Sequence, residues 1–412
     1  MELQSIRRQF PALMQSINGT APIFLDGPGG SQVPQSVLSA MSAYLGYFNS
    51  NLGGAFFSSH KTVSLMDDAR QAVADLLNAP SKSQIVFGAN MTSLTFSFSR
   101  AISREWQAGD EVIVTNADHY SNVSSWRQAA EDKGAKVHAV RINEADCTLD
   151  LEHYASQLST NTKLVAVTYA SNTTGSINDI KRIVEMAHQV GALVYVDAVH
   201  YAPHELIDVQ ALNCDFLACS AYKFFGPHVG IVYGKREHLE GFTPYKVEPA
   251  KDVIPGRWET GTQSFEGLAG VIAAIDYIAS LSELPKTATR RERLANAFAK
   301  TKAHEMALSD YVIRRLADFP MITLYGINDL TRLAERTPTF ALTFDGIEPR
   351  KVSEFLGEHH ICVWDGNFYA QGLCEQLGVM DKGGVVRIGC MHYNTIEELE
   401  LLFAKLEAWL LK

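Results

Sequence analysis

The sequence has no long apolar run: every hydrophobic stretch is too short, or too interrupted by polar residues, to cross a bilayer. Its opening, MELQSIRRQFPALMQS, lacks the apolar centre of a secretory signal, so a cytoplasmic setting is expected and a membrane role is not. Charge of one sign is nowhere gathered into blocks. A formal net charge of -10, spread over mixed acids and bases, offers no footprint for a nucleic-acid backbone. Cysteine is scarce, and Cys147, Cys214, Cys219, Cys362, Cys374 and Cys390 show no paired spacing of a zinc site or disulfide framework. Most are expected to be small buried hydrophobes, and no metal is expected. Internal repeats and low-complexity tracts are missing too. So is the glycine-rich loop of a Walker or Rossmann site, which disfavours nucleotide binding.

What is present is a globular composition. With 412 residues, 46% apolar and 20% charged, the chain can build a large core and a second, smaller lobe. Between about residues 84 and 234, β-rich runs alternate with helix-like stretches: QIVFGA, DEVIVTN, KVHAVRI, KLVAVTYAS, ALVYVDAV, FLACSA and GIVYG. That rhythm specifies an α/β fold with a mainly parallel sheet between helices. Segments SNVSSWRQAAEDKG and INDIKRIVEMAHQVG supply crossovers, ending at Gly134 and Gly191. Beyond residue 265 the strand rhythm stops. GLAGVIAAIDYIASL and RRERLANAFAKTKAHEMALSDYVIRRL read as long helices, the second bridging two lobes. A small α+β unit follows, with strands in PTFALTFD, ICVWDG and VVRIGC and helices in KVSEFLGEHH and IEELELLFAKLEAWLLK. The expected division is an N-terminal arm (1–20) packing with the small domain, a large domain (21–285) and a small C-terminal α+β domain (286–412).

In an open parallel sheet, ligands bind beyond the carboxyl ends of the strands. The polar residues falling there are Asn90 and Thr92, Asp118 and His119, Asn172, Asp197 and His200, then Ser220 and Lys223. Asp197 follows the apolar run ALVYV, where a carboxylate can hold a heteroaromatic nitrogen protonated or simply form a turn. Lys223 follows an apolar strand and sits among Tyr222, Phe224 and Phe225, so its ammonium must be exposed, paired or consumed in an imine. GANMTSLTFSFSRAI runs from a strand into a helix whose first turn, with Thr92 and Ser93, is either a phosphate cradle or a plain cap. His119 is either a stacking ring or a hydrogen-bonded structural residue.

Taken in order, DH at 118–119, SN at 171–172, VDAVH at 196–200 and SAYKFFGP at 220–227 resemble the class V aminotransferase family of fold type I pyridoxal 5′-phosphate (PLP) enzymes. The resemblance extends from FLDGPGGSQVP at 24–34 to WETGTQSFEG at 258–267 and VRIGCMHYNT at 386–395, and is nearest to the cysteine desulfurase and selenocysteine lyase branch. It implies Lys223 as the Schiff-base lysine, Asp197 as partner of the pyridine nitrogen, His119 as the stacking residue and Asn172 near the ring hydroxyl. Met91, Thr92, Ser220 and Tyr222 complete the cofactor set, and His200 stands in place of a family glutamine. Thr262 would reach the phosphate of a neighbouring subunit, which implies a homodimer. Arg387 would hold the substrate carboxylate, with Asn51 and Tyr369 also in the substrate set. Two positions depart from the branch: Tyr222 precedes the lysine where desulfurases have histidine, and Tyr369 stands where their persulfide-forming cysteine is expected. Cys374 is the nearest thiol. The expected reaction is desulfurase-like cleavage of a C–S or C–Se bond in a small L-amino acid, with transamination or epimerisation as alternatives.

Overall fold

The apolar runs between residues 85 and 234 assemble into one seven-stranded sheet. In the computed structural model, which describes residues 2–410, the order across it is Ile85–Gly88, Gly230–Gly234, Phe216–Ser220, Leu193–Asp197, Thr162–Thr168, Glu111–Thr115 and Lys136–Val140. Each run read as a strand is one, mostly with trimmed ends. The sheet is parallel except at Gly230–Gly234, which is antiparallel to both neighbours. Connection length explains the exception, because too few residues separate Ser220 from Gly230 for a parallel crossover.

Side chains alternate across this sheet with the two-residue period of a strand. Val165, Val167, Val194 and Val196 join one apolar layer, whereas Leu164, Ala166 and Tyr195 join the other. The first layer is closed by helices Gln35–Tyr47, Phe57–Leu77, Ile180–Gln189 and Phe265–Ser280, the second by Met91–Ile102 and Ser121–Glu131. Gln35–Tyr47 and Phe57–Leu77 were not anticipated, since apolar residues such as Leu38, Leu45 and Val63 lie exposed on them and blur the helical stripe.

Helix Arg290–Leu316 starts at a capping box, Thr289 with Glu292. Its first half packs Leu294, Ala297 and Phe298 into the large core, and its second half packs Leu308, Val312 and Leu316 into another. The second core covers an antiparallel sheet in the order Trp364–Gly366, Val385–Gly389, Thr339–Phe344 and Ile322–Tyr325. The run ICVWDG is divided: Ile361–Cys362 pairs with Ile23–Phe24, and only Trp364–Gly366 enters the small sheet. The N-terminal arm touches both lobes. Phe10 packs on Phe225, Tyr277 and Tyr393, while Arg7 pairs with Glu398 of the closing helix at 2.7 Å. We propose a domain boundary near residue 286, just before the bridging helix. Among the described residues no helix is long and apolar enough to cross a membrane.

Candidate active site

Strand register gathers the site. Thr168 lies opposite Asp197, and Gly88, Gly230 and Ser220 fall in line, so these strand ends share one edge. A cavity of about 110 Å³ opens there, lined by Met91, Thr92, His119, Asn172, Asp197, His200, Ser220, Tyr222 and Lys223 among others. These nine expected cofactor residues therefore converge.

Lys223 ends the turn that follows strand Phe216–Ser220, and its amine donates to the Pro28 carbonyl. Burial, reinforced by the charge of Arg387 and opposed by Asp197, pulls its pKa down to about 7. Near neutral pH much of this amine is unprotonated and nucleophilic. The Asp197 Oδ1 accepts from the Val199 N–H at 2.9 Å, and its other oxygen has no donor among the described residues. Burial pushes its pKa up to about 6 against the Val199 hydrogen bond and the Lys223 charge. His119 Nδ1 accepts from the Ser121 N–H at 3.1 Å, which assigns the ring proton to Nε2. Burial, with the charges of Lys223 and Arg387, lowers its pKa to about 4, so a neutral flat ring borders the cavity. Asp118 serves the scaffold: it accepts from Thr115 and from Asn122 at 2.7 Å below the start of helix Ser121–Glu131, and burial pushes its pKa up to about 8.

The helix Met91–Ile102 aims its N-terminus at the cavity. Asn90 caps it through the Ser93 N–H at 2.8 Å, leaving the Met91 and Thr92 N–H groups without an acceptor among the described residues. Glycine at 230 permits this placement, because a Cβ there would come within 2.6 Å of the Asn90 and Met91 backbone. His200 sets its Nε2 between the hydroxyls of Thr337 and Thr339, at 3.0 and 3.1 Å, and burial keeps it neutral.

The small lobe supplies the facing wall. Arg387 is buried, donates to the Asn172 carbonyl at 2.8 Å and lies against the Phe368 ring at 3.8 Å from its centroid. Its Nε has no partner, and burial lowers its pKa to about 9 against Asp26 and Tyr222. Asp26 likewise has a buried Oδ1 without a partner, and burial pushes its pKa up to about 6. An unpartnered guanidinium edge of this kind is suited to an incoming anion. Phe368 and Tyr369 both adopt left-handed backbone, φ 53 and 58, at a cost of roughly 1 kcal/mol each for residues with a Cβ. The turn is held by the large lobe: Asn172 Nδ2 donates to the Phe368 carbonyl at 3.0 Å and the Tyr120 N–H to that of Tyr369 at 2.8 Å.

Two expected residues lie elsewhere. Asn51 and Thr262 border a separate depression with Lys251 and Gln263. The adjoining Glu259 is fixed to the main sheet by Arg70 at 2.7 and 2.8 Å and by the Phe87 N–H. Cys374 is buried in helix Gln371–Gln376, its Sγ 4.0 Å from the Asn367 carbonyl, and burial pushes the thiol up to about 11. Sequence reasoning missed Asp26, Thr337, Thr339 and Phe368. Only Asp26, in the turn FLDGPGG, and Phe368, beside Tyr369, carried any local signal.

The class-V aminotransferase family model matches residues 23–402. A probable cysteine desulfurase of Synechocystis sp. is 32% identical, covering 98% of this chain and 94% of the relative. An aminotransferase-like protein of Gibberella zeae is 34% identical, covering 98% of both. Among solved structures, the apo cysteine desulfurase of Thermococcus onnurineus superposes with a TM-score of 0.87 at 25% identity, over 98% of this chain and 97% of that one.

Proposed function

The chain belongs to the class-V aminotransferase family and is a PLP-dependent enzyme; on that premise we propose that it cleaves a Cβ–S or Cβ–Se bond of an amino acid without forming an enzyme persulfide. The observation that carries this reading is one juxtaposition. A buried amine with a pKa drawn down to about 7 shares its surroundings with an acid and with an Arg387 Nε–H that has no partner.

The residues fit the cofactor. Lys223 would hold its aldehyde, Asp197 the ring nitrogen and His119 a ring face, with Asn172, His200 and Tyr222 around the ring edge. Met91 and Thr92 at the helix start, with Ser220, would take the phosphate. When bound, PLP supplies an electron sink for the charge left at the substrate α-carbon. Arg387 takes the α-carboxylate through its free edge, and that contact orients the bonds at Cα. The Lys223 amine, tuned near neutrality, accepts the α-proton.

A persulfide needs a reachable thiolate, and none of the six cysteines lines the cavity. The sulfur or selenium therefore departs with its own substituent. We further propose a cytoplasmic homodimer in which Asn51 and Thr262 complete the neighbouring site. Exposed Tyr47 and Phe57, 75% and 70% accessible on the helices flanking Asn51, support a covered face there.

The test is product analysis. Holoenzyme given β-substituted alanines should release pyruvate together with the leaving group. Exchange of the amino group with an added keto acid, without pyruvate, would replace this reading with transamination.

A further inference from the structure

Beside the Lys223 cavity, on the small-lobe side, lie the rings of Phe368, Tyr369 and Trp364, which the chemistry above does not use. Phe368 lies face-on to the Arg387 guanidinium at 3.8 Å. Tyr369 sets its ring 5.2 Å from that of His119. Trp364 is in register with Arg387 across the small sheet, and its indole packs on the turn carrying Pro28, where a Cβ on Gly29 would come within 2.6 Å of Nε1. The Tyr222 ring centroid is 4.8 Å from the Lys223 amine. The groups that would hold carboxylate and amine thus sit inside an aromatic collar, and part of it is open: Tyr369 is 71% exposed and Trp364 51%. Exposed rings beside a binding cleft favour an apolar or aromatic group on the ligand.

A second, independent observation concerns sulfur. Cys374 is the thiol nearest in sequence to the turn, but it is buried, turned toward the Asn367 carbonyl and protonated at neutral pH. The Cys374 thiol is therefore closed to persulfide formation. β-Elimination needs no protein nucleophile: the sulfur leaves as hydrosulfide from free cysteine or as a complete thiol from a thioether, and the aromatic rings favour the thioether that carries an apolar group.

We propose, resting on the PLP reading above, that the substrate is an S-substituted L-cysteine whose substituent is aromatic or bulky and apolar. Tyr369 contacts that substituent. Phe368 is a positioning residue that fixes the plane of Arg387 and leaves its Nε–H edge to the carboxylate. The net reaction consumes water: R–S–CH2–CH(NH3+)–COO− and H2O give R–SH, pyruvate and ammonium. The Cβ–S bond breaks with its electron pair on sulfur, the Cα proton goes to Lys223, and the departing sulfur gains a proton. No oxidant or reductant is required.

Aryl thiolates are intrinsically better leaving groups than alkyl ones, so affinity for inert analogues separates recognition from reactivity. Holoenzyme would be titrated with L-homophenylalanine, which has the shape of S-phenylcysteine without its sulfur, and with L-2-aminobutyrate, which lacks the ring. Binding is read from bound-cofactor absorbance and by calorimetry. Wild type should bind homophenylalanine roughly tenfold more tightly, the scale of one good aromatic contact. Tyr369→Ser should remove that preference and leave aminobutyrate binding unchanged, while Phe368→Leu should weaken both ligands alike. Pyruvate and thiophenol should appear from S-phenyl-L-cysteine. Equal wild-type affinities, an equal loss of both ligands in Tyr369→Ser, or pyruvate from free cysteine but not from the thioether would overturn the assignment. A wild-type protein that binds no PLP would remove the underlying reading, and this proposal with it.

Discussion

The floor of the cleft and its wall follow different structural rules. Asp197, Ser220 and Lys223 sit at or just past the ends of central strands buried on both faces. Phe368 and Tyr369 sit on a turn of the small lobe, in left-handed backbone, held across the cleft by two hydrogen bonds. The floor is rigid because the sheet over-determines it; the wall persists at a local energetic cost. The contrast teaches that chemistry shared by a family is placed on the scaffold, whereas selectivity is placed where a few substitutions can change it.

The most severe break would come at the floor. Lys223→Ala should lower turnover by about 10³-fold, the middle of the range that one proton-transferring group contributes, and abolish covalent cofactor retention; steady-state rates and absorbance after gel filtration measure both. Arg387→Leu should then act mainly on KM, raising it by about 10²-fold, the worth of two charge-assisted hydrogen bonds, while cofactor content holds. A milder test uses pH. A base with a lowered pKa loses its proton earlier as pH rises, so the neutral fraction of Lys223 grows through about 7. Capture of PLP by apoenzyme should accelerate by about tenfold from pH 6 to 8 and flatten above, as stopped-flow absorbance would record. The smallest effect belongs to the wall. Tyr369→Gly relieves one left-handed residue and should stabilise the fold by up to about 1 kcal/mol, seen as a higher urea midpoint, at the expense of discrimination among substrates.

Legibility in the sequence follows the same division. The seven strands of the main sheet announce themselves as β-branched runs ending in polar residues, and the strand-end rule leads from them to Asp197, Ser220 and Lys223. The bridging helix Arg290–Leu316 is legible from its helical period. The wall is not. Arg387 meets Asn172, at the edge of the cavity, only because Val385–Gly389 lies in a second sheet docked on the first, a juxtaposition that no local pattern encodes. Phe368 stands next to Tyr369 in sequence, but nothing local shows that its face meets Arg387. Thr337 and Thr339 are more than a hundred residues from the His200 they hold. Asn51 and Thr262 could be named only from family resemblance, and in one chain they lie away from the Lys223 cavity.

The central claim is that the Lys223 amine is the covalent anchor of the cofactor, and borohydride reduction of purified holoenzyme followed by peptide mass mapping tests it directly. The expected result is a single pyridoxyl-modified peptide containing Lys223, lost in Lys223→Ala. Modification of a different lysine, or bound PLP that borohydride never fixes to the chain, would contradict it.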